Sequence, residues 1–285
     1  MALLEARGLT VSYGGLNAND EIDLECETGK LVGLIGPNGA GKTTFIDAIT
    51  GFTPVTHGYV SFDGVDLEGL RPDARAKLGL VRTFQSLELF EDLTVRDNLL
   101  VAADQPKWYS FLADIVLPSR GKAAALERID VALNAMELGD LADKHPSDLS
   151  HGQRKLVGVA RALAANPKLL LLDEPAAGLD TKESQLLGAH LRGFLDLGVS
   201  LFLIDHDMGL VLNVCDYIYV LDFGKVIAHG TPAQVRADPA VIAAYLGESA
   251  GEAQAEAGIA ANRSAEAMAS QSATTQTGAP EAGNE

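Results

Sequence analysis

Basic residues are scarce in this chain. Over 285 residues it carries 22 Lys and Arg against 39 Asp and Glu, a net charge of −17 at neutral pH. Affinity for a phosphodiester backbone rests on Lys and Arg neutralising phosphates, so this balance argues against a nucleic-acid partner. Cysteine is nearly missing too. Cys26 and Cys215 are too few for a disulfide scaffold or a cysteine zinc site, and they suit a reducing compartment. Long apolar runs are absent: Leu169 to Leu172 is typical, far short of the ~20 residues a membrane span requires. The opening MALLEARGL has no basic stretch followed by an apolar one, so no secretory signal is expected. The reading is a soluble, cytosolic chain. Its 47% hydrophobic and 21% charged composition excludes wholesale disorder and can fill a proper core.

Composition changes abruptly near residue 247. The stretch 247–285 is Ala, Gly, Ser, Thr, Gln and Glu, with six Glu against one Arg, too little apolar surface to offset its ordering entropy. It is expected to be a disordered acidic tail behind a domain spanning 1–246. Within that domain short β-rich runs alternate with helical patterns. The expected strands are Leu31–Ile35, Tyr59–Phe62, Leu80–Thr83, Leu169–Leu172, Leu201–Ile204 and Tyr217–Leu221. Several are continuously apolar, as strands covered on both faces of a parallel sheet should be. Helices are expected after Lys42, Ser150, Thr181 and His206, giving an α/β core. Residues 96–165 carry helical periodicity, at Ala123 to Met136 and Gln153 to Ala165, and no convincing strand. They read as an inserted α-helical subdomain. The Trp-containing stretch 104–121 reads as irregular.

Three stretches carry chemistry. The run Gly36-Pro37-Asn38-Gly39-Ala40-Gly41-Lys42-Thr43 matches G-x-x-x-x-G-K-[ST] between an apolar strand and a helix. Glycines allow successive N–H groups to point inward as a nest for phosphate oxygens, and the helix adds its free donors and positive dipole end. Lys42 would reach the β- and γ-phosphates and the Thr43 hydroxyl would bind Mg²⁺, with Thr44 beside them. The second stretch is Leu169 to Pro175, an apolar strand ending in Asp173 and Glu174. Asp173 would partner Mg²⁺, and Glu174 would polarise a water for attack on the γ-phosphate; capping acids are the structural alternative. The third, Leu149-Ser150-His151-Gly152-Gln153, opens a helical pattern. Ser150 looks like an N-cap, yet a helix N-terminus is also an anion site.

In this order and spacing, P-loop, LSHGQ and LLLLDEP resemble an ATP-binding cassette (ABC) ATPase over essentially all of residues 1–246. The resemblance implies a P-loop fold with a parallel sheet, an N-terminal antiparallel β part and an inserted helical subdomain. It further implies a head-to-tail dimer holding two ATP molecules, each between the P-loop of one subunit and the signature of the other. Ser150, Gly152 and Gln153 would then serve the nucleotide of the opposite subunit. By the same resemblance Tyr13 is the adenine-stacking aromatic, Gln85 the loop glutamine at Mg²⁺ and the attacking water, Asp180 the loop aspartate facing the other subunit, and His206 the γ-phosphate histidine. Read without it, Tyr13 is a strand aromatic, Gln85 and Asp180 are loop polars or caps, and His206 is structural.

Stretches around the P-loop, VRTFQSLELFEDLTVRDNLLVAA and LIDHDMGLVLNVCDYIYVLDFGKVIAHGTPAQV look like ATPases of branched-chain amino acid importers and their relatives. Such systems imply a second ATPase subunit, two membrane permeases, an extracytoplasmic solute-binding protein, and a peripheral location on the inner face of the membrane. Exporter-type, lipopolysaccharide-transport and soluble non-transport cassettes are the alternatives. His151 in place of the commoner Gly, and GLD at 178–180, depart from the family pattern. Leu87, Leu89 and Phe90, an apolar row after Gln85, are expected either to receive a permease helix or to pack beneath the helical subdomain.

Overall fold

The computed structural model describes residues 2–83, 89–103 and 120–245, with the side chains of 120–122 left aside. The expected loop glutamine Gln85, with Leu87, the irregular stretch 104–119 and the acidic tail lie outside the described residues. Among the described residues two sheets organise the fold. The first is antiparallel, in the order β2-β1-β4-β5, built from β1 (Ala2–Tyr13), β2 (Leu16–Glu27), β4 (His57–Phe62) and β5 (Val65–Asp66). The second has six strands in the order β10-β9-β3-β8-β7-β6. They are β3 (Leu31–Ile35), β6 (Leu80–Arg82), β7 (Leu169–Asp173), β8 (Ser200–Ile204), β9 (Tyr217–Asp222) and β10 (Lys225–Gly230). Pairing within it is parallel except for β10 against β9.

Every residue of β3, β7 and β8 is buried, because side chains of alternate residues enter two different cores. Leu31, Ile35, Leu170, Leu172, Leu201 and Leu203 face one core, shared with the helical subdomain. Val32, Leu34, Leu169, Leu171, Phe202 and Ile204 face the other, shared with β1, β2 and the helix after β3. This is why these segments read as unbroken apolar runs.

The helices are α1 (Lys42–Thr50), α2 (Pro72–Lys77), α3 (Val95–Ala103), α4 (Arg120–Ala135), α5 (His151–Ala164), α6 (Thr181–Asp196), α7 (Met208–Val214) and α8 (Pro232–Ala237), followed by a helix over 239–245. α3, α4 and α5 pack on one another as the helical insertion. A buried seam of Val95, Leu99, Ile129, Leu133, Val157 and Ala160 joins them, each element supplying residues at helical spacing. Asn98 is wholly buried within this insertion. Its Nδ2 donates to Phe90, Leu93 and Thr94 carbonyls while its Oδ1 accepts from Phe90 N–H, which ties the segment before α3 onto the helix.

Candidate active site

The sheet order decides what meets. β3, β8 and β7 are neighbours, and the register places Leu34 opposite Ile204 and Asp173 opposite Ile204. The loops after these three strands therefore leave the sheet side by side at its carboxyl edge, where open α/β sheets bind ligands. They carry the glycine-rich loop, the Asp173–Glu174 pair and the Asp205–His206 pair.

The glycine-rich loop is held by its own geometry. Gly36, Gly39 and Gly41 have φ of 152°, 78° and 100°, conformations that an L side chain strains to adopt. A Cβ at Gly36 would stand 2.0 Å from the Leu221 carbonyl oxygen, and one at Gly41 2.4 Å from that of Ala18. These two glycines seat the loop on the neighbouring chain. A Cβ at Gly39 would meet nothing within 4 Å, so the outer face of the loop is open to a ligand. Asn19 Nδ2 donates to the Gly41 carbonyl at 3.1 Å, and Gly224 N–H donates to that of Ala40 at 2.9 Å. Gly41 caps α1 without a side-chain hydrogen bond, and a helix N-terminus of this kind suits an anion. Lys42 is buried, its Nζ donating to the carbonyls of Gly36 (2.6 Å) and Pro37 (2.9 Å). Its charge thus sits across the loop. Asn38 and Thr43 are exposed and Thr44 half-buried.

Glu174 takes a left-handed φ of 48°, uncommon for a side chain with a Cβ and concentrated at functional positions. Its N–H donates to the Ile204 carbonyl at 2.8 Å. His206 Nδ1 lies 3.9 Å from Glu174 Oε2 and 3.7 Å from Asp205 Oδ1, with the imidazole largely exposed. Asp205 is wholly buried and braces both loops: its Oδ2 accepts from Ala176 N–H and its Oδ1 from Asp207 N–H. Asp173 Oδ2 pairs with Arg82 Nη2 at 2.7 Å, and Arg82 Nη1 reaches Asp47 Oδ1 of α1 at 2.5 Å. Sequence reasoning passed over Arg82 and Asp205. The only signal for either was a charged residue directly after an apolar strand run.

Ser150 is the N-cap of α5. Its Oγ accepts from Gln153 N–H at 3.2 Å while Gln153 Oε1 accepts from Ser150 N–H at 3.0 Å, a reciprocal capping box. Asp180 caps α6 in the same way, accepting from the N–H groups of Lys182 and Glu183. The cap readings of both residues therefore hold within the single chain. Ser150 and Gln153 bond to each other within the first turn of α5, while the Gly41 and Ala40 carbonyls of the P-loop are held by Asn19 of β2 and by Gly224 of the β9–β10 turn. Tyr13 ends β1 exposed, its hydroxyl 3.4 Å from Thr53 Oγ1, with a ring face available for stacking. Leu89 is buried in the core of the helical insertion, so the packing alternative holds for it; Phe90 is 51% exposed.

A parallel sheet that delivers a glycine-rich loop, an Asp–Glu pair and a histidine to one edge defines a P-loop nucleotide hydrolase. Among the described residues no helix is long and apolar enough to cross a membrane. A family model described as ABC transporter matches residues 19–177, and one described as branched-chain amino acid ATP-binding cassette transporter matches 225–251. The chain is 40% identical, over 87% of its length and 98% of the relative's, to the high-affinity branched-chain amino acid transport ATP-binding protein BraF of Pseudomonas aeruginosa. It is 42% identical over the same shares to LivG of Escherichia coli K12, of the same description. Identity to the E. coli K12 lipopolysaccharide export system ATP-binding protein LptB is 37%, over 87% of this chain and 98% of LptB. Among solved structures, the ADP conformation of an ABC transporter's ATP-binding cassette superposes with a TM-score of 0.76 at 31% identity, covering 87% of this chain and all of that one. The chain belongs to the ABC transporter family. It binds ATP and hydrolyses it in a reaction coupled to transport.

Proposed function

We propose that the chain is the ATPase subunit of an importer for branched-chain amino acids or related small polar or aromatic solutes, worked by ATP-driven head-to-tail pairing of two cassettes. The observation that carries this reading is the near-full-length identity to BraF and LivG. In it the subunit lies on the inner face of the membrane, paired with a second ATPase and docked on two permeases, with an extracytoplasmic solute-binding protein delivering cargo. The exporter alternative has the identity to LptB in its favour, at a lower level.

The residues then take these roles. Gly36, Asn38, Gly39, Gly41, Lys42, Thr43 and Thr44 cradle the phosphates, and Tyr13 stacks on the adenine. Ser150, Gly152 and Gln153 of one cassette meet the γ-phosphate held by the other, beside Asp180. ATP therefore favours the closed pair and ADP does not, the differential affinity that lets a nucleotide drive a conformational change. Glu174 orients the attacking water and accepts its proton, with His206 on the γ-phosphate and Gln85 at the water. The donor set of the Thr43 hydroxyl, the Asp173 carboxylate and Gln85 consists of hard oxygens, which suits Mg²⁺. Asp173 Oδ2 is paired with Arg82 in the same place. Bound there, Mg²⁺ neutralises phosphate charge.

The test is reconstitution with the permeases and a binding protein in proteoliposomes. ATP hydrolysis should rise with leucine, isoleucine or valine on the binding-protein side. Stimulation by a lipopolysaccharide precursor and indifference to amino acids would overturn the import reading.

A further inference from the structure

The first turns of α5 lie against the loop that follows Glu174 and against the start of α6, at three places in all. Lys155, buried on α5, donates from Nζ to the Pro175 carbonyl at 3.4 Å and also to that of Ala177. At Gly178, whose φ is +76°, an added Cβ would stand 3.4 Å from His151 Nε2. At Gly152 an added Cβ would stand 2.5 Å from Glu183 Oε1, and Glu183 is the carboxylate that closes the α6 capping box onto Asp180 N–H. Burial lowers the Lys155 ammonium's pKa, opposed by the nearby carboxylates of Asp205 and Glu174. A buried ammonium on backbone carbonyls is a fixed link, since either partner left alone would be costly to bury.

We propose that Lys155 is a positioning residue that couples the two nucleotide sites of the paired cassettes. This rests on the head-to-tail reading given above. Under it, the N-terminus of α5 touches the ATP of the opposite cassette, whereas Glu174, at the head of the loop that Lys155 holds, serves the chain's own ATP. Lys155 joins these two parts within one chain. Engagement of the partner's γ-phosphate at Ser150 and Gly152 is thereby transmitted to the loop that carries the chain's own general base. The close approaches of His151 to Gly178 and of Glu183 to Gly152 keep the elements in register, while Lys155 supplies the hydrogen bonds that make them move together.

The experiment compares the full chain with Lys155→Met and Lys155→Arg. In the nucleotide-free protein, amide hydrogen exchange over 177–180 should quicken by about tenfold or more in Lys155→Met. The interior of α5 should keep its slow exchange in Lys155→Met, and Lys155→Arg should restore slow exchange over 177–180. In ATP turnover the Hill coefficient of the parent should fall toward about one in Lys155→Met, with monomer affinity for a fluorescent ATP analogue unchanged. Unaltered exchange in Lys155→Met overturns the proposal, as does a loosened loop with parental cooperativity. A parent that neither pairs in a Glu174→Gln background nor shows sigmoidal turnover overturns the head-to-tail reading instead. Lys155 would in that case be a clamp of one loop, which the exchange data alone would show.

Discussion

Arg82 and Asp173 form a nearly buried ion pair of 2.7 Å, with each side chain about nine-tenths covered. The same guanidinium reaches Asp47 at 2.5 Å, so one cation joins β6, β7 and the helix behind the glycine-rich loop. Asp173 cannot be buried as an unpaired carboxylate without a large cost. Arg82 supplies the compensating charge beside the position proposed for Mg²⁺. Removing one partner of such a pair destabilises by about 3–5 kcal/mol, because the other charge is left uncompensated. Arg82→Met should therefore lower the urea midpoint sharply, and Arg82→Lys should recover only part of the loss. A change below about 1 kcal/mol, the range of exposed pairs, would show the link to be dispensable.

The glycines of the loop should separate folding from binding. Gly36→Ala places a methyl 2.0 Å from a backbone oxygen, which no rotamer change relieves, so the protein should fail to accumulate folded. Gly39→Ala meets open space at a φ of 78°. It should cost about 1–2 kcal/mol for the left-handed conformation and leave a cooperative melt. Its methyl would stand on the face where phosphate is to approach, so nucleotide affinity should drop. Calorimetric titration with ATP on the folded Gly39→Ala protein reads this directly. Affinity equal to the parent's would place the phosphates elsewhere.

The segments legible in the sequence were those buried on two faces. β3, β7, β8 and β9 stand out as apolar runs because both cores claim them. The limits of β1 and β2 were not marked, although an antiparallel part was expected. Their register with each other shifts at several points, so simple alternation is broken, and Asn19, Asp20, Glu21 and Asp23 dilute the pattern in β2. α2 and α8 are six residues each, too short for a periodic signal. Motif residues at the sheet edge could be placed because a strand end fixes them. Arg82, Asp205 and Lys155 could not, since their partners at Asp173, Ala176 and Ala177 lie 91, 29 and 22 residues away. No local pattern encodes such pairings.

Leu89 and Phe90 are adjacent yet face opposite environments, 7% and 51% exposed. Leu89→Glu would bury a charge in the core of the helical insertion and should destabilise the whole chain. Phe90→Glu should leave melting and basal ATP hydrolysis near parental values. If this aromatic receives a permease segment, solute-stimulated hydrolysis in proteoliposomes should be lost in Phe90→Glu. Retained stimulation would remove Phe90 from the coupling surface; loss of basal hydrolysis as well would give it a core role.

Glu174 and Lys42 are the two residues proposed to flank the γ-phosphate. Glu174 is half-buried beside His206, and its carboxylate is the general base in the proposed cycle. Glutamine keeps the shape and the left-handed backbone but cannot accept the proton. Loss of a general base costs roughly 10²–10⁴ in rate, so Glu174→Gln should bind ATP normally and accumulate as an ATP-held dimer in size-exclusion chromatography. Lys42→Ala acts earlier. The ammonium now shared by the Gly36 and Pro37 carbonyls is the charge that would transfer to phosphate oxygens. Charge-assisted hydrogen bonds are worth about 1.5–3 kcal/mol, so its removal should weaken ATP binding by about tenfold or more and prevent pairing. The double variant should therefore behave as Lys42→Ala, monomeric in ATP. A double variant that still pairs would mean that the closed state is held by contacts other than the triphosphate, and the switch would have to be sought outside this site.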